Sequence, residues 1–210
     1  MKIIKHNCYR LLRLTHNLLD LTRSEAGYQS FKPLNCDLDR LLEEIVLSVK
    51  PYAEEKQLKL YFKPSHQRNI VNIDIEKMER IMLNLLSNAI KFTNPGGFVC
   101  VSSYRSADRV YISVRDSGIG IPPEKHNEIF DRFKQASHTC CSENKGSGIG
   151  LSLVKSFVEL HNGNINVKSE CGKGSEFIID LPAGTVITEA ANYTASDLDK
   201  QISEAVKLEF

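Results

Sequence analysis

At 210 residues the chain is long enough for one ordinary domain and an appendage, since a single core usually takes roughly 100 to 150 residues. Its 27 Lys and Arg against 26 Asp and Glu leave a formal charge of +1, which excludes a global field for nucleic acid or an anionic membrane, so a charged partner must be recognised locally. Six cysteines without Cys-x-x-Cys spacing, no apolar run near the roughly 20 residues that span a bilayer and no signal-peptide layout read as a cytoplasmic chain with free thiols and no zinc site.

In chain order, Ile4, Cys8, Leu11, Thr15 and Leu18 form one helical seam, widened by Leu12, Leu19 and Leu21. A stripe this broad predicts a bundle helix with partners on more than one side. The pattern is already running at Met1, which suggests a piece of something longer. Gly27 is placed to end the helix, and Pro33 marks a connection. A second helix is predicted over 38–56, burying Leu41, Leu42, Ile45, Val46 and Val49 and kinked at Pro51. Strands follow over 58–62 and 70–73. Asp74 then caps a helix over 76–92 whose apolar face is Met78, Ile81, Met82, Leu85, Leu86 and Ala89. Alternating segments over 98–104 and 110–116 read as a hairpin. Residues 117–150 form a long irregular segment with a short helix predicted over 124–133, and such segments are usually functional. A helix over 151–161 and a second hairpin, 164–169 with 176–181, complete the pattern. A short helix is possible on pattern over 197–206. The mixture predicts an α+β fold, an α/β sandwich with helices on one face of a mostly antiparallel mixed sheet, preceded by the N-terminal bundle helix.

Three features carry chemistry. On the 76–92 helix, 100° per residue puts Asn84, Asn88 and Lys91 in one polar stripe, where carboxamide oxygens suit Mg²⁺ and the lysine suits a phosphate; a solvated face would look the same. Asp116 shares the inward parity of Val110, Ile112 and Val114, so its carboxylate needs a donor, unless the strand has already ended in a turn with Ser117-Gly118. Gly146-Ser147-Gly148-Ile149-Gly150 stands directly before the Leu151 helix, where free N–H groups and the helix dipole favour an anion. It matches neither a dinucleotide fingerprint nor a Walker motif.

The order and spacing of four segments are more specific than any one. Asn84-Leu85-Leu86-Ser87-Asn88-Ala89-Ile90-Lys91-Phe92-Thr93 resembles the N box of the histidine kinase, gyrase, heat-shock chaperone and mismatch-repair ATPase superfamily. Asp116-Ser117-Gly118-Ile119-Gly120-Ile121-Pro122 resembles its first glycine box, Ile129-Phe130-Asp131-Arg132-Phe133 its F box, and Lys145-Gly146-Ser147-Gly148-Ile149-Gly150-Leu151 its second. The F box points to the sensor histidine kinase branch. The resemblance implies an ATP site in which Asn88 binds Mg²⁺ and Asn84 lies beside it, Lys91 holds phosphates, Asp116 takes the adenine amine, Phe92 lines the pocket, and Gly118 and Gly120 let the chain pass the base. It further implies that Gly146, Ser147, Gly148, Ile149, Gly150 and Leu151 shape the phosphate loop, that Ile121, Phe133 and Ser175 border the nucleotide, and that residues 134–145 form an ATP lid.

Leu11-Leu12-Arg13-Leu14-Thr15-His16-Asn17-Leu18-Leu19-Asp20-Leu21-Thr22-Arg23 resembles the second helix of the dimerisation and phosphotransfer hairpin. The expected organisation is that helix at 1–27, a linker at 28–35, the ATP-binding catalytic domain at 36–184 and a tail at 185–210. No histidine here has the context of a phosphoacceptor, and Asn84 stands where some relatives have Glu, so neither acceptor nor base is expected in this chain. The implied function is to bind Mg-ATP and donate its γ-phosphate to a histidine on the phosphotransfer helix of its own or a partner subunit. A response regulator receiver domain then takes the phosphate, and the full-length parent is a homodimer, soluble or membrane-anchored. A non-catalytic nucleotide-gated interaction module shares every motif; an ATPase or serine kinase of the superfamily is disfavoured by the F box.

Overall fold

The structure is a computed structural model describing residues 30–66, 69–132, 134 and 148–183, with Leu11, Leu12, Thr15, Leu19, Thr22, Ile202, Ala205 and Val206. These last eight are all helical, in the two stretches where the sequence pattern predicts helices. Elements run β1 (Leu34–Asp37), α1 (Leu38–Glu55), β2 (Lys59–Lys63), β3 (Ile70–Ile73), α2 (Ile75–Phe92), β4 (Phe98–Ser106), β5 (Arg109–Asp116), α3 (Gly150–Leu160), β6 (Asn164–Glu170) and β7 (Gly174–Pro182).

The five-stranded sheet has the order β2-β4-β5-β7-β6, antiparallel throughout except for the parallel pair β2 with β4. Its inward parity is set by apolar, mostly β-branched residues: Val99 and Val101 on β4, Val110, Ile112 and Val114 on β5, Phe177, Ile179 and Leu181 on β7. All three helices pack on strands of this sheet, and α2 also packs against α1 and α3. The α+β sandwich predicted from the sequence is the fold that forms.

Helix α2 begins where Asp74 caps it, the carboxylate accepting the Lys77 N–H at 3.2 Å. Its burial exceeds an amphipathic stripe: Ile75, Leu83 and Ile90 are enclosed along with the predicted face, and so are Glu79, Asn84 and Ser87. Helix α1 continues through Pro51, whose ring lies on the exposed side while Ala53 beyond it is buried.

Two local expectations change. Residues 34 and 35, read as linker, and 36 and 37, read as the start of the catalytic domain, form β1, which pairs with β3 in a separate two-stranded sheet, Leu34 opposite Ile73 and Asp37 opposite Ile70. Four residues after a proline carry no periodicity of their own, so only the partner strand reveals them. In the helical stretch expected over 124–133, the described residues 124–132 form no α-helix but two 3₁₀ turns, Pro123–Lys125 and Glu128–Phe130. Pro122-Pro123 starts the segment without a side-chain cap, and Ile129 is its one fully buried anchor, so too little apolar surface supports a longer helix.

Candidate functional site

The three chemical features converge at one end of the sandwich. Asn84, on the buried third turn of α2, is 5% exposed. Its Nδ2 donates to the Arg80 carbonyl at 2.9 Å, which turns Oδ1 toward the start of α3. A Cβ on Gly150 would lie 2.6 Å from that Oδ1, so the N box and the second glycine box meet directly there. Asn88, one turn along the same face, and Lys91 are half-buried. The Lys91 ammonium sits 5.0 Å from the centre of the Phe92 ring, which is 38% exposed and so keeps a face for a ligand.

Asp116 is the last residue of β5, opposite Val99, and is 6% exposed, so the strand runs through it, and its carboxylate also begins a turn by accepting the Gly118 N–H. Burial is the larger influence on its carboxyl and pushes its pKa up, opposed by two backbone donors. Both reach the same oxygen: the N–H of Gly118 at 2.8 Å and that of Ser175 at 3.3 Å donate to Oδ1. Oδ2 accepts nothing among the described residues, which leaves a carboxylate oxygen that can take an N–H from a bound base.

The loop after Asp116 is held on two sides. Ile119 N–H donates to the carbonyl of Phe92 at 3.2 Å, and the Ile119 carbonyl accepts from Gly172 N–H at 2.7 Å. At Gly118 a Cβ would meet the Phe92 carbonyl oxygen at 2.5 Å; at Gly120, where φ is +70°, it would meet that of Glu170 at 2.0 Å. Glycine is required at both positions because backbone fills the space a side chain would take.

Helix α3 opens this site with its N-terminus. Its N-cap position is Ile149, with no capping side chain and no acidic residue in the first turn, so among the described residues no cap or first-turn carboxylate meets the dipole. Gly148, with φ +71°, turns the chain into the helix. Ile149 is buried and Leu151 half-buried in the core behind it. Phe133, Gly146 and Ser147 lie outside the described residues, as does most of the 134–145 segment.

Two residues at the site escaped the sequence reading. Ser169 Oγ accepts from Ile121 N–H and donates toward the Gly174 carbonyl, each at 2.8 Å, and lies 2.9 Å from Ser175 Oγ. It thereby ties the first glycine box to the β6–β7 hairpin beneath Asp116. Its signal was present in the inward parity of Ile165 and Val167. Lys56, at the end of α1, places its ammonium on the last turn of α2 and carries no local signal at all.

Residues 73–185 match the family model described as histidine kinase-, DNA gyrase B- and HSP90-like ATPase. The chain belongs to this family. Within the histidine kinase-like ATPases it is a catalytic ATP-binding domain of the sensor histidine kinase kind. It is 40% identical over 183 residues to the sensor histidine kinase TmoS of Ectopseudomonas mendocina, an alignment covering 86% of this chain and 19% of that protein. It is 35% identical over 189 residues to the circadian input-output histidine kinase CikA of Synechococcus elongatus, covering 89% of this chain and 25% of that one. The chain thus spans a quarter or less of these two relatives. Among solved structures, full-length ShkA in complex with AMPPNP matches with a TM-score of 0.77 at 28% identity, over 92% of this chain and 39% of that one.

His161 is 5% exposed with both ring nitrogens engaged, Nδ1 with the Phe157 carbonyl at 2.7 Å and Nε2 with Asp74 N–H at 3.0 Å. His126 Nε2 lies 3.1 Å from the Ile121 carbonyl oxygen.

Proposed function

We propose that this chain binds Mg-ATP and presents its γ-phosphate to a histidine on a phosphotransfer helix, as the catalytic module of a two-component sensor histidine kinase. The observation that carries the proposal is the meeting of three elements at one end of the fold: the carboxamides of α2, the one-sidedly satisfied Asp116, and the anion-receptive start of α3.

Asp116 Oδ2 takes the exocyclic amine of adenine, Phe92 lines the pocket, and Lys91 with the α3 N–H groups holds phosphate oxygens. No group of three His, Cys, Asp or Glu side chains stands ready for a metal among the described residues. The donor set is nonetheless right for Mg²⁺ beside phosphates: Asn88, with the outward Oδ1 of Asn84, supplies neutral oxygens, and the nucleotide supplies the anionic ones. When bound, the metal neutralises charge between the phosphates. The chain's own residues orient the nucleotide and leave proton removal to the acceptor side, because Asn84 cannot serve as a base.

Residues 1–27 supply the second helix of the phosphotransfer hairpin, the acceptor histidine comes from the first, a response regulator receiver domain takes the phosphate onward, and the parent is a homodimer. Incubation with γ-labelled ATP and a separate polypeptide bearing a complete phosphotransfer hairpin tests this: label on that histidine is the expected result. ATP binding without transfer would favour a nucleotide-gated interaction module, and absence of ATP binding would overturn both.

A further inference from the structure

The carbonyls at the end of α2 form a complete account. A helix leaves its last four C=O groups without partners inside the helix, and they are the negative end of its dipole. Here the Ala89 carbonyl accepts from Thr93 N–H at 3.1 Å and Thr93 Oγ1 at 2.7 Å, and that of Phe92 accepts from Ile119 N–H at 3.2 Å. The two between them, Ile90 and Lys91, are taken by one side chain from another element: Lys56 Nζ donates to them at 2.6 and 2.5 Å. Burial lowers the pKa of this ammonium, a penalty that the two carbonyl acceptors oppose.

Lys56 is itself anchored. Gln57 adopts φ +59°, Leu58 N–H returns to the Ala53 carbonyl at 2.8 Å, and the next loop closes over it through Gly96 N–H to the Gln57 carbonyl and Lys59 N–H to that of Gly97, each 2.9 Å. The carbonyl adjoining its two acceptors is the one on which the first glycine box hangs, and the side chains leaving this turn are Lys91 and Phe92.

We propose that Lys56 is a positioning residue for the nucleotide: by bridging the Ile90 and Lys91 carbonyls it fixes the end of α2, so that the Phe92 carbonyl holds Ile119 and presents Gly118 beside Asp116. This rests on the ATP-site reading above. A lysine serving only to stabilise the fold would change the melting temperature and leave the affinity of the folded protein as it was.

The test titrates ADP into the whole chain and into Lys56→Met and Lys56→Arg, with hydrogen exchange of the Ile119 amide followed in each. Expected are roughly tenfold weaker ADP binding in Lys56→Met, near-restoration in Lys56→Arg, and faster Ile119 exchange in the methionine variant alone. ADP affinity of Lys56→Met within about twofold of wild type, unchanged Ile119 exchange, or no recovery with arginine overturns the assignment. Should Lys56→Met not fold, Lys56→Gln, which retains a donor without the charge, is read by the same criteria. Wild-type chain that fails to bind ADP overturns the nucleotide reading itself, whereas wild-type binding with an equally tight Lys56→Met overturns the role of Lys56 alone.

Discussion

The carboxamide oxygen of Asn84 lies 2.6 Å from where a side chain on Gly150 would begin, so α2 and the start of α3 are separated there by a single amide. Gly150→Ala would gain up to about 1 kcal/mol of helix propensity, yet its methyl must displace an Asn84 amide that is buried and pinned to the Arg80 carbonyl. The expected outcome is an unchanged or lowered melting temperature with Mg-ATP binding weakened about tenfold or more. Equal affinity measured by calorimetry would separate this contact from ligand binding.

Asn88 and Asn84 are one turn apart on the same face, with neutral oxygens suited to a metal that the phosphates also bind. Asn88→Ala should weaken ADP binding in Mg²⁺ by at least about tenfold and binding in EDTA much less. Equal losses in the two buffers would show that Asn88 touches the nucleotide, not the metal.

For Asp116, stability and affinity should move in opposite directions with pH. Burial raises its folded-state pKa above the ordinary 3.8, so its contribution to stability is full below that value and is lost as pH rises through the raised one. The adenine role proposed for Asp116 needs the ionised form. Acidification from neutral pH toward 3.8 should therefore weaken ADP binding while this group's penalty on the apo fold eases. Asp116→Asn keeps an acceptor for Gly118 and Ser175 but offers an amide N–H to the adenine amine, and should remove both binding and its acid dependence. Calorimetry of both proteins across that range checks this.

His161 reports on the opposite end of the same two helices. It closes α3, accepts the buried N–H of Asp74 at the cap of α2, and meets the Phe31 ring edge-on with centroids 5.0 Å apart. Burial, the largest influence, lowers its pKa below the ordinary 6.5, aided by Lys77 and opposed by the Phe157 carbonyl and by Asp74. Asp74 is itself buried, which raises its carboxyl, but N–H donors from Lys32 and Lys77 and the Lys77 ammonium bring it down overall. A depressed histidine contributes stability that is complete above pH 6.5 and lost as pH falls through the folded-state value. The melting temperature should drop across that window. His161→Phe should lose about 1–3 kcal/mol at neutral pH by stranding the Asp74 N–H, and its melting temperature should lack the step. A step that persists in this variant would assign it to another group.

Much of this site was legible in one dimension because its parts obey short covalent periods. The Asn84, Asn88, Lys91 stripe follows from 100° per residue, the inward aim of Asp116 from strand alternation with Val110, Ile112 and Val114, and the anion preference of Gly150 from the ends every helix has. What stayed ambiguous was their meaning: a polar stripe is also a solvated face, and Asp-Ser-Gly is also a turn. The 3₁₀ turns at 123–130 misread as helix show the limit of pattern where one buried anchor, Ile129, has to carry an element.

By itself, then, the sequence determined which residues could face a nucleotide and the order in which they occur, since these depend on backbone geometry within a few neighbours. The tertiary structure alone decided that they come together at one end of the fold. Asn84 reaches Gly150, Lys56 reaches Ile90, Ser169 reaches Ile121 and His161 reaches Asp74 across separations of 34 to 87 residues. No local period spans such distances. They are set by how α2 is enclosed between the sheet and its neighbouring helices, where each buried donor and acceptor must find a partner.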